Sequence, residues 1–168
     1  MKKFLIILII ICIIVPIFVY ASAIIKTIQM DVNCISYFEM AADANSVKLA
    51  EKHLTSGIKY LEENGLTKGH TGIIFRSPTD DLGLWYENLK SAQEQLIELN
   101  QREDLTELEE SNALMKLRET LLDSQGGATH PDMISFYPNH ISWFWGMWLI
   151  WLLWIVVFFL GAYIQEVY

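Results

Sequence analysis

Two long apolar segments, one at each end of the chain, constrain the fold more than any other feature of the sequence. The first runs from Phe4 to Ile25 and the second from Ile141 to Ile164, and neither contains a charged residue. Each reaches the roughly 20 residues that a helix needs to cross about 30 Å of hydrocarbon. We therefore predict two transmembrane helices, in 1–25 and 141–164.

Charge patterning predicts the orientation of the chain. Lys2 and Lys3 precede the first apolar segment, and positive flanks of this kind stay in the cytoplasm. Both termini, including a short tail at 165–168, would then be cytoplasmic, and 26–140 would form a domain outside the cytoplasm. From the short basic start we expect the cytoplasmic membrane of a bacterium, and an internal eukaryotic membrane is the other interpretation.

The central domain is acidic, which limits its partners. When Lys2, Lys3 and Glu166 are set aside, 10 of the 12 basic and 19 of the 20 acidic residues lie in this domain. A surface of this sign repels phosphate backbones, so we expect no nucleic acid partner.

The N-terminal segment has a second interpretation as a cleaved signal peptide. The stretch "VYASA" places Ala21 and Ala23 in the small-x-small pattern of a signal-peptidase site. Cleavage after Ala23 would leave one membrane helix instead of two. The apolar run is longer than the roughly 7–15 residues usual for a signal peptide, and Ile24 and Ile25 continue it. We favour an uncleaved anchor, and sequencing of the mature N-terminus decides between the two.

The pattern of the central domain predicts an all-α fold. No proline lies between Ile17 and Asn64, so the first membrane helix is predicted to continue into a first bundle helix that ends near Asn64. A second helix is predicted to open at Ser77 and a third near Thr106, each with a capping box. Apolar residues at intervals of three and four mark the predicted core faces of the first two helices: Tyr37, Met40, Ala44, Val47, Ala50, Leu54, Ile58 and Leu61 in the first, and Leu82, Trp85, Leu89, Ala92, Leu96 and Leu99 in the second. The third helix carries Leu108, Leu114, Leu117 and Leu121.

These helices form an antiparallel three- to four-helix bundle in our prediction. Pro131, Pro138 and a Gly pair disfavour a continuous helix over 124–140, so this segment is predicted to be an irregular strap with a helical turn near Met133. On this layout the link between the first two bundle helices lies at the end farthest from the membrane.

That link contains the candidate contact site for a partner protein or small ligand. His70, Arg76, Asp81, Trp85 and Tyr86 combine charge with aromatic surface, and binding residues concentrate on loops held by a rigid scaffold. The alternative is a well-capped turn in which the tryptophan fills the bundle core.

The second apolar segment is rich in tryptophan, and its aromatic residues have two interpretations. Trp148, Trp151, Trp154 and Phe158 are predicted to pack within the membrane, against the first span or lipid. The second interpretation is that these residues line a groove for a partner's membrane helix or a hydrophobic cofactor.

No arrangement of residues predicts catalysis. The four histidines have no His or Cys at ligand spacing, and no nucleophile motif is present. Cys12 lies within the first span and Cys34 outside it, so no internal disulfide is expected; Cys34 is either a small buried residue or a bridge between two copies. We expect a protein that is not an enzyme and has no metal or cofactor.

The predicted layout resembles the input half of bacterial four-helix-bundle receptors, in architecture and not in a shared motif. The strap and the short tail at 165–168 depart from a receptor, because they offer no route to an output domain. We therefore expect a non-catalytic membrane-anchored interaction protein, an accessory subunit or scaffold. Its expected partners are membrane lipid and another membrane protein or a second copy. A ligand-sensing module that acts through an associated membrane protein is the alternative.

Overall fold

The structure, a computed structural model, describes the backbone of residues 2–167 and the side chains of 10–159 and 161. Within this part of the chain the all-α prediction is confirmed. The helices are α1 (Lys2–Met30), a π-helical segment (Asp31–Ile35), α2 (Ser36–Ala42), α3 (Val47–Glu63), α4 (Leu82–Asn100), α5 (Glu107–Leu121) and α6 (His140–Val167), with 3₁₀ turns at Pro78–Asp80 and Ile134–Phe136. Met1 and Tyr168 lie outside the described residues, so the predicted tail at 165–168 is described only in part.

α1 and α6 belong to two helical stretches that are long and apolar enough to cross a membrane, Ile10–Ala42 and His140–Phe159. The two helices contact each other. Within 10–25 and 141–159 only Pro16, Ala23 and Ile150 are buried. The other apolar side chains in these two stretches are exposed or half-buried, as is typical of helices that face lipid.

α1 continues through the π-helical segment into α2 without interruption, as predicted for the first membrane helix. Side chains support the wider turn: the Ser36 hydroxyl donates to the carbonyl of Asp31 at 2.8 Å, and the Asn33 amide donates to the carbonyl of Gln29 at 2.8 Å. The chain therefore leaves the apolar segment and enters the bundle as one helix.

The prediction that this helix runs on to Asn64 is wrong. α2 ends at Ala42, and a turn over 43–46 reverses the chain before α3 begins. The Ser46 hydroxyl caps α3 and accepts from the amide of Leu49 at 3.4 Å. The turn "DANS" contains neither Gly nor Pro, but the Ser46 side chain bonds to the nearby backbone, which competes with continuation of the helix.

α3 packs antiparallel to α2. The Cys34 thiol donates to the carbonyl of Gly57 at 3.7 Å, and the rings of Tyr37 and His53 lie 6.3 Å apart. Cys34 is fully buried in this contact, which favours the interpretation as a small core residue. The C-terminal end of α3 thus returns to the end of α1.

We call this end of the bundle the base. It is where the bundle meets α1 and α6, and Met30, Tyr60, Leu66, Ile134 and Tyr137 line a cavity of about 160 Å³ there. α1, α3 and the segment that precedes α6 therefore meet at one level.

α4 leaves the base beside α3, and α5 returns part of the way. The Gln93 amide donates to the Thr55 hydroxyl at 2.8 Å, which pairs the middle of α4 with the middle of α3. Arg118 of α5 lies 3.5 Å from Asp43 in the turn after α2. Residues 122–139 then descend to α6 as a largely irregular strap, with a helical turn at Ile134–Phe136 near the predicted Met133.

The two predicted capping boxes are both present, but one of them caps a different element. Thr106 and Glu109 cap α5 as predicted. Ser77 and Asp80 form their box around the single 3₁₀ turn Pro78–Asp80, and not around α4. α4 begins at Leu82, and Asp81 is its N-cap.

The core confirms most of the predicted faces. On α4, Leu82, Leu89 and Leu96 are buried, with Trp85, Ala92 and Leu99 packed against them. Met40 is 49% exposed and Leu108 71% exposed, so their assignment to the core is wrong. The predicted stripe is in register with α3, where its five members Val47, Ala50, Leu54, Ile58 and Leu61 are buried. On the N-terminal side of the turn the predicted stripe is out of register, and α2 contributes Phe38 and Ala41 to the core instead.

Candidate interaction surfaces

The link between α3 and α4 lies at the base of the bundle, so the prediction that it lies farthest from the membrane helices is wrong. α3 brings the link back because the predicted first helix is in fact two antiparallel helices. Leu66 is buried in the core. Gly69 lies against the ring of Tyr137, so close that a Cβ would be 2.8 Å from ring atom Cζ. Tyr137 in turn stacks on His140, the first residue of α6, with ring centroids 5.6 Å apart.

The structure brings two of the predicted contact residues together. His70 Nε2 lies 3.2 Å from Asp81 Oδ2, and Asp81 Oδ1 accepts from the amides of Gly83 and Leu84 at 2.8 and 3.1 Å. Asp81 therefore contacts His70 at the other end of the link and caps α4 at the same time. Nδ1 of His70 and both ring nitrogens of His140 are buried without a partner among the described residues.

The side chains of Trp85 and Tyr86 both contact other elements of the bundle. The Trp85 ring packs edge-to-face on Phe38 at 5.7 Å, and its indole N–H donates to the carbonyl of Thr129 at 2.9 Å. This geometry favours the alternative in which the tryptophan fills the core. The Tyr86 hydroxyl donates to Glu62 at 2.7 Å, and this hydrogen bond raises the pKa of Tyr86 to about 12.

Arg76 is the remaining residue of the predicted patch, and it is exposed. It follows Ile74 and Phe75, which are 69% and 84% exposed and were not among the predicted contact residues. The sequence signal for them is the apolar triplet "IIF" between Gly72 and Pro78, which is too short for a helix and lies in a loop.

An apolar groove runs between α1 and α6. Its volume is about 610 Å³, and its lining includes Pro16, Tyr20 and Ile24 of α1 with Ile150, Trp151 and Trp154 of α6. Toward the base the two helices are joined by a cation–π contact, since Lys26 Nζ lies 6.0 Å from the centroid of the Trp143 ring.

Two of the aromatic residues predicted to pack within the membrane lie outside this groove. The Trp148 ring is 6.2 Å from that of Phe144, and the Phe158 ring is 5.9 Å from that of Phe159. Both stay largely exposed, at 54% and 73%. Among the described side chains of α6 along this groove, Ile150 is buried and the tryptophans are not.

A second, more polar groove of about 350 Å³ lies between α4 and α5. Leu96, Leu99 and Leu117 contribute apolar lining, and polar side chains of both helices contribute the rest: Asn88, Ser91, Gln95, Asn112, Lys116 and Thr120. Lys116 Nζ spans it and donates to Gln95 Oε1 at 3.2 Å.

Neither the chemistry of the side chains nor likeness to other proteins assigns an activity. Among the described side chains, no group of three His, Cys, Asp or Glu is placed to hold a metal ion. No protein-family model, curated protein or solved structure matches the chain.

Proposed function

We propose that the protein is a non-catalytic membrane-anchored interaction protein, an accessory subunit or scaffold of a bacterial cytoplasmic membrane. α1 and α6 cross the membrane, both termini are cytoplasmic, and the acidic bundle lies outside the cytoplasm. Lys2 and Lys3 support this orientation, because positive flanks are retained in the cytoplasm. Its partners are membrane lipid and either another membrane protein or a second copy of the chain.

The apolar groove between α1 and α6 is the observation that carries this proposal. Helices in lipid associate through close packing, because lipid tails are as apolar as the side chains they would replace. Ala21 lies in the lining and allows a close approach of backbones, while Trp151 and Trp154 offer large flat surfaces. Among the described side chains, those that line the groove carry no charge. Such a groove fits the apolar side of a partner's membrane helix.

The connection of the groove to the bundle supports a scaffold. α1 enters the bundle as one continuous helix, and at the base Tyr137, shortly before the start of α6, packs against Gly69 and His140. A partner held between the membrane helices is therefore held in a defined position relative to the bundle.

In-membrane photocrosslinking tests the proposal. We expect p-benzoylphenylalanine in place of Trp151, irradiated in intact membranes, to give a discrete protein adduct. The same probe in place of Leu152 is the matched control, because Leu152 is similarly exposed, at 53% against 63%, and does not line the groove. Identical adduct patterns at the two positions, or lipid adducts alone, would contradict the proposal. An adduct at twice the chain mass identifies a second copy as the partner.

The groove between α4 and α5 favours ligand sensing as a second candidate function. Its volume of about 350 Å³ lies within the roughly 300–1,000 Å³ typical of small-molecule sites, and polar groups converge on it from two helices. Native mass spectrometry of the full chain should then show a co-purified small molecule that is lost in the variant Gln95→Leu/Lys116→Met. If the wild-type chain carries none, while native membrane lipid is retained, the sensing candidate is rejected.

A further inference from the structure

The loop over 72–76 is the most exposed apolar feature of the bundle. Phe75 is 84% exposed, more than any other large hydrophobic side chain in the described part of the chain, and Ile74 is 69% exposed. Single exposed apolar residues are common on protein surfaces. Ile74 and Phe75 are adjacent in one loop, and contiguous exposed apolar surface is the feature that marks contacts with proteins or membranes.

A hydrogen-bonded stem presents these two side chains in a fixed position. The amide of Leu82 donates to the carbonyl of Gly69, and the amide of Thr71 donates to the carbonyl of Asp80, both at 2.9 Å. Asp80 Oδ2 also accepts from the amide of Ser77 at 3.2 Å. Gly72 keeps the loop tight, because a Cβ there would overlap the carbonyl oxygen of Phe75.

The stem of the loop lies at the level at which the apolar helices leave the bundle. Its stem begins at Gly69, which packs against Tyr137, and Tyr137 stacks on His140 at the start of α6. On the other side, Leu66 and Lys26 line one cavity, and Lys26 follows directly on the uncharged segment of α1.

The charge of this segment differs from that of the rest of the bundle. Acidic residues outnumber basic ones in 26–140, but residues 64–79 contain no acidic residue and carry Lys68 and Arg76. Both of these side chains are exposed. An apolar tip flanked by cations suits the boundary between acyl chains and anionic headgroups.

We propose that the loop inserts into the interface of the same bilayer that α1 and α6 cross. Ile74 and Phe75 enter the acyl boundary, and Lys68 and Arg76 contact lipid phosphates. This inference rests on the membrane anchoring in the proposed function, and it adds a third contact that fixes the bundle against the membrane surface.

Depth-dependent quenching in lipid nanodiscs tests this contact. The full chain, with Cys12→Ala and buried Cys34 retained, receives one environment-sensitive fluorophore on Phe75→Cys or on Leu108→Cys. Leu108 is the matched control, because it is 71% exposed and lies on α5, away from the base. We expect a nitroxide in the shallow part of the acyl chain to quench the probe at position 75 several-fold more than the probe at position 108.

Two further arms make the result decisive. A probe on Ile17→Cys in α1 reports membrane anchoring: quenching at position 17 with none at position 75 overturns the loop proposal alone, while quenching at neither position overturns the anchoring as well. The probe at position 75 should also be quenched more when phosphatidylglycerol is added, and Arg76→Glu should abolish that increase. If a protein rather than lipid covers the loop, the probe is unquenched in nanodiscs of pure lipid, which also overturns the proposal.

Discussion

Gly57 sets how closely α2 and α3 approach each other. A Cβ at this position would overlap the ring of Phe38, which is buried in the core at 1% exposure. We expect Gly57→Ala to lower the free energy of unfolding by about 1–3 kcal/mol, because overpacking outweighs the better helix propensity of alanine. Chemical unfolding of the chain in detergent micelles measures the change.

Gly146→Ala is the control for this substitution. Gly146 also lies in a helix, but no neighbouring group in the described part of the chain lies within 4 Å of the position that a Cβ would take. We expect no loss of stability there. Equal stability of the two variants would show that α2 and α3 do not pack as closely as the structure has them.

Tyr86 makes the stability of the bundle depend on pH in the alkaline range. Its pKa is raised from 10.0 to about 12, first by the hydrogen bond to Glu62. Folding therefore favours the protonated phenol. The contribution of Tyr86 to the free energy of unfolding is complete below pH 10 and is lost as the pH rises toward 12.

We expect Tyr86→Phe to remove this part of the pH dependence. The loss of stability at neutral pH should stay below about 1 kcal/mol, because water competes for a hydrogen bond this close to the surface. Unfolding midpoints measured from pH 8 to 12, for wild type and variant, provide the test; parallel curves would rule out a role for this hydroxyl.

At the scale of secondary-structure elements, the helices are predictable from the sequence and one of their breaks is not. The capping box of Thr106 and Glu109 and the apolar spacing of α4 are local signals, and both appear in the structure. The turn at 43–46 depends on whether Ser46 caps a new helix or continues the old one, and local preference does not separate the two. That single break moves the link between α3 and α4 from one end of the bundle to the other.

The candidate sites also divide into features that local sequence signals predict and features that depend on tertiary contacts. The aromatic character of α6 can be read from the sequence. That Trp151 and Trp154 line a groove while Trp148 does not depends on how α1 crosses α6. The exposure of Phe75 depends on the stem that Gly69 and Asp80 form across the link, and such non-local pairing leaves no periodic pattern.

α5 is the bundle helix that depends most on its cap. Only Leu117 and Leu121 of its residues are buried, both near its C-terminal end. We expect Thr106→Ala to cost about 1 kcal/mol and to increase amide hydrogen exchange in the first turns of α5 more than elsewhere. Thr106→Ser retains the hydroxyl and should restore protection; exchange that stays unchanged in the alanine variant would show that packing, and not the cap, holds this end.

At the scale of the whole molecule, the orientation can be tested on the exposed face of α5. Leu108→Cys places a thiol on a side chain that is 71% exposed, whereas buried Cys34 is shielded. We expect a membrane-impermeant maleimide to label this thiol in intact spheroplasts. Labelling only after lysis would show that the bundle lies in the cytoplasm. A second variant, Met115→Cys, tests whether the result holds elsewhere on the same helix, since Met115 is 58% exposed.

If α1 and α6 cross the membrane as proposed, the junction at the base would also influence how the chain responds to bilayer thickness. Lys26 Nζ lies 6.0 Å from the centroid of the Trp143 ring, and this contact favours one height of α1 relative to α6 over a displaced one. A mismatch with a thinner or thicker bilayer would then be absorbed by joint tilting or by deformation of the lipid around the opposite leaflet. We expect reconstitution of the chain to be most efficient in lipids whose hydrocarbon thickness matches the apolar length of the two helices.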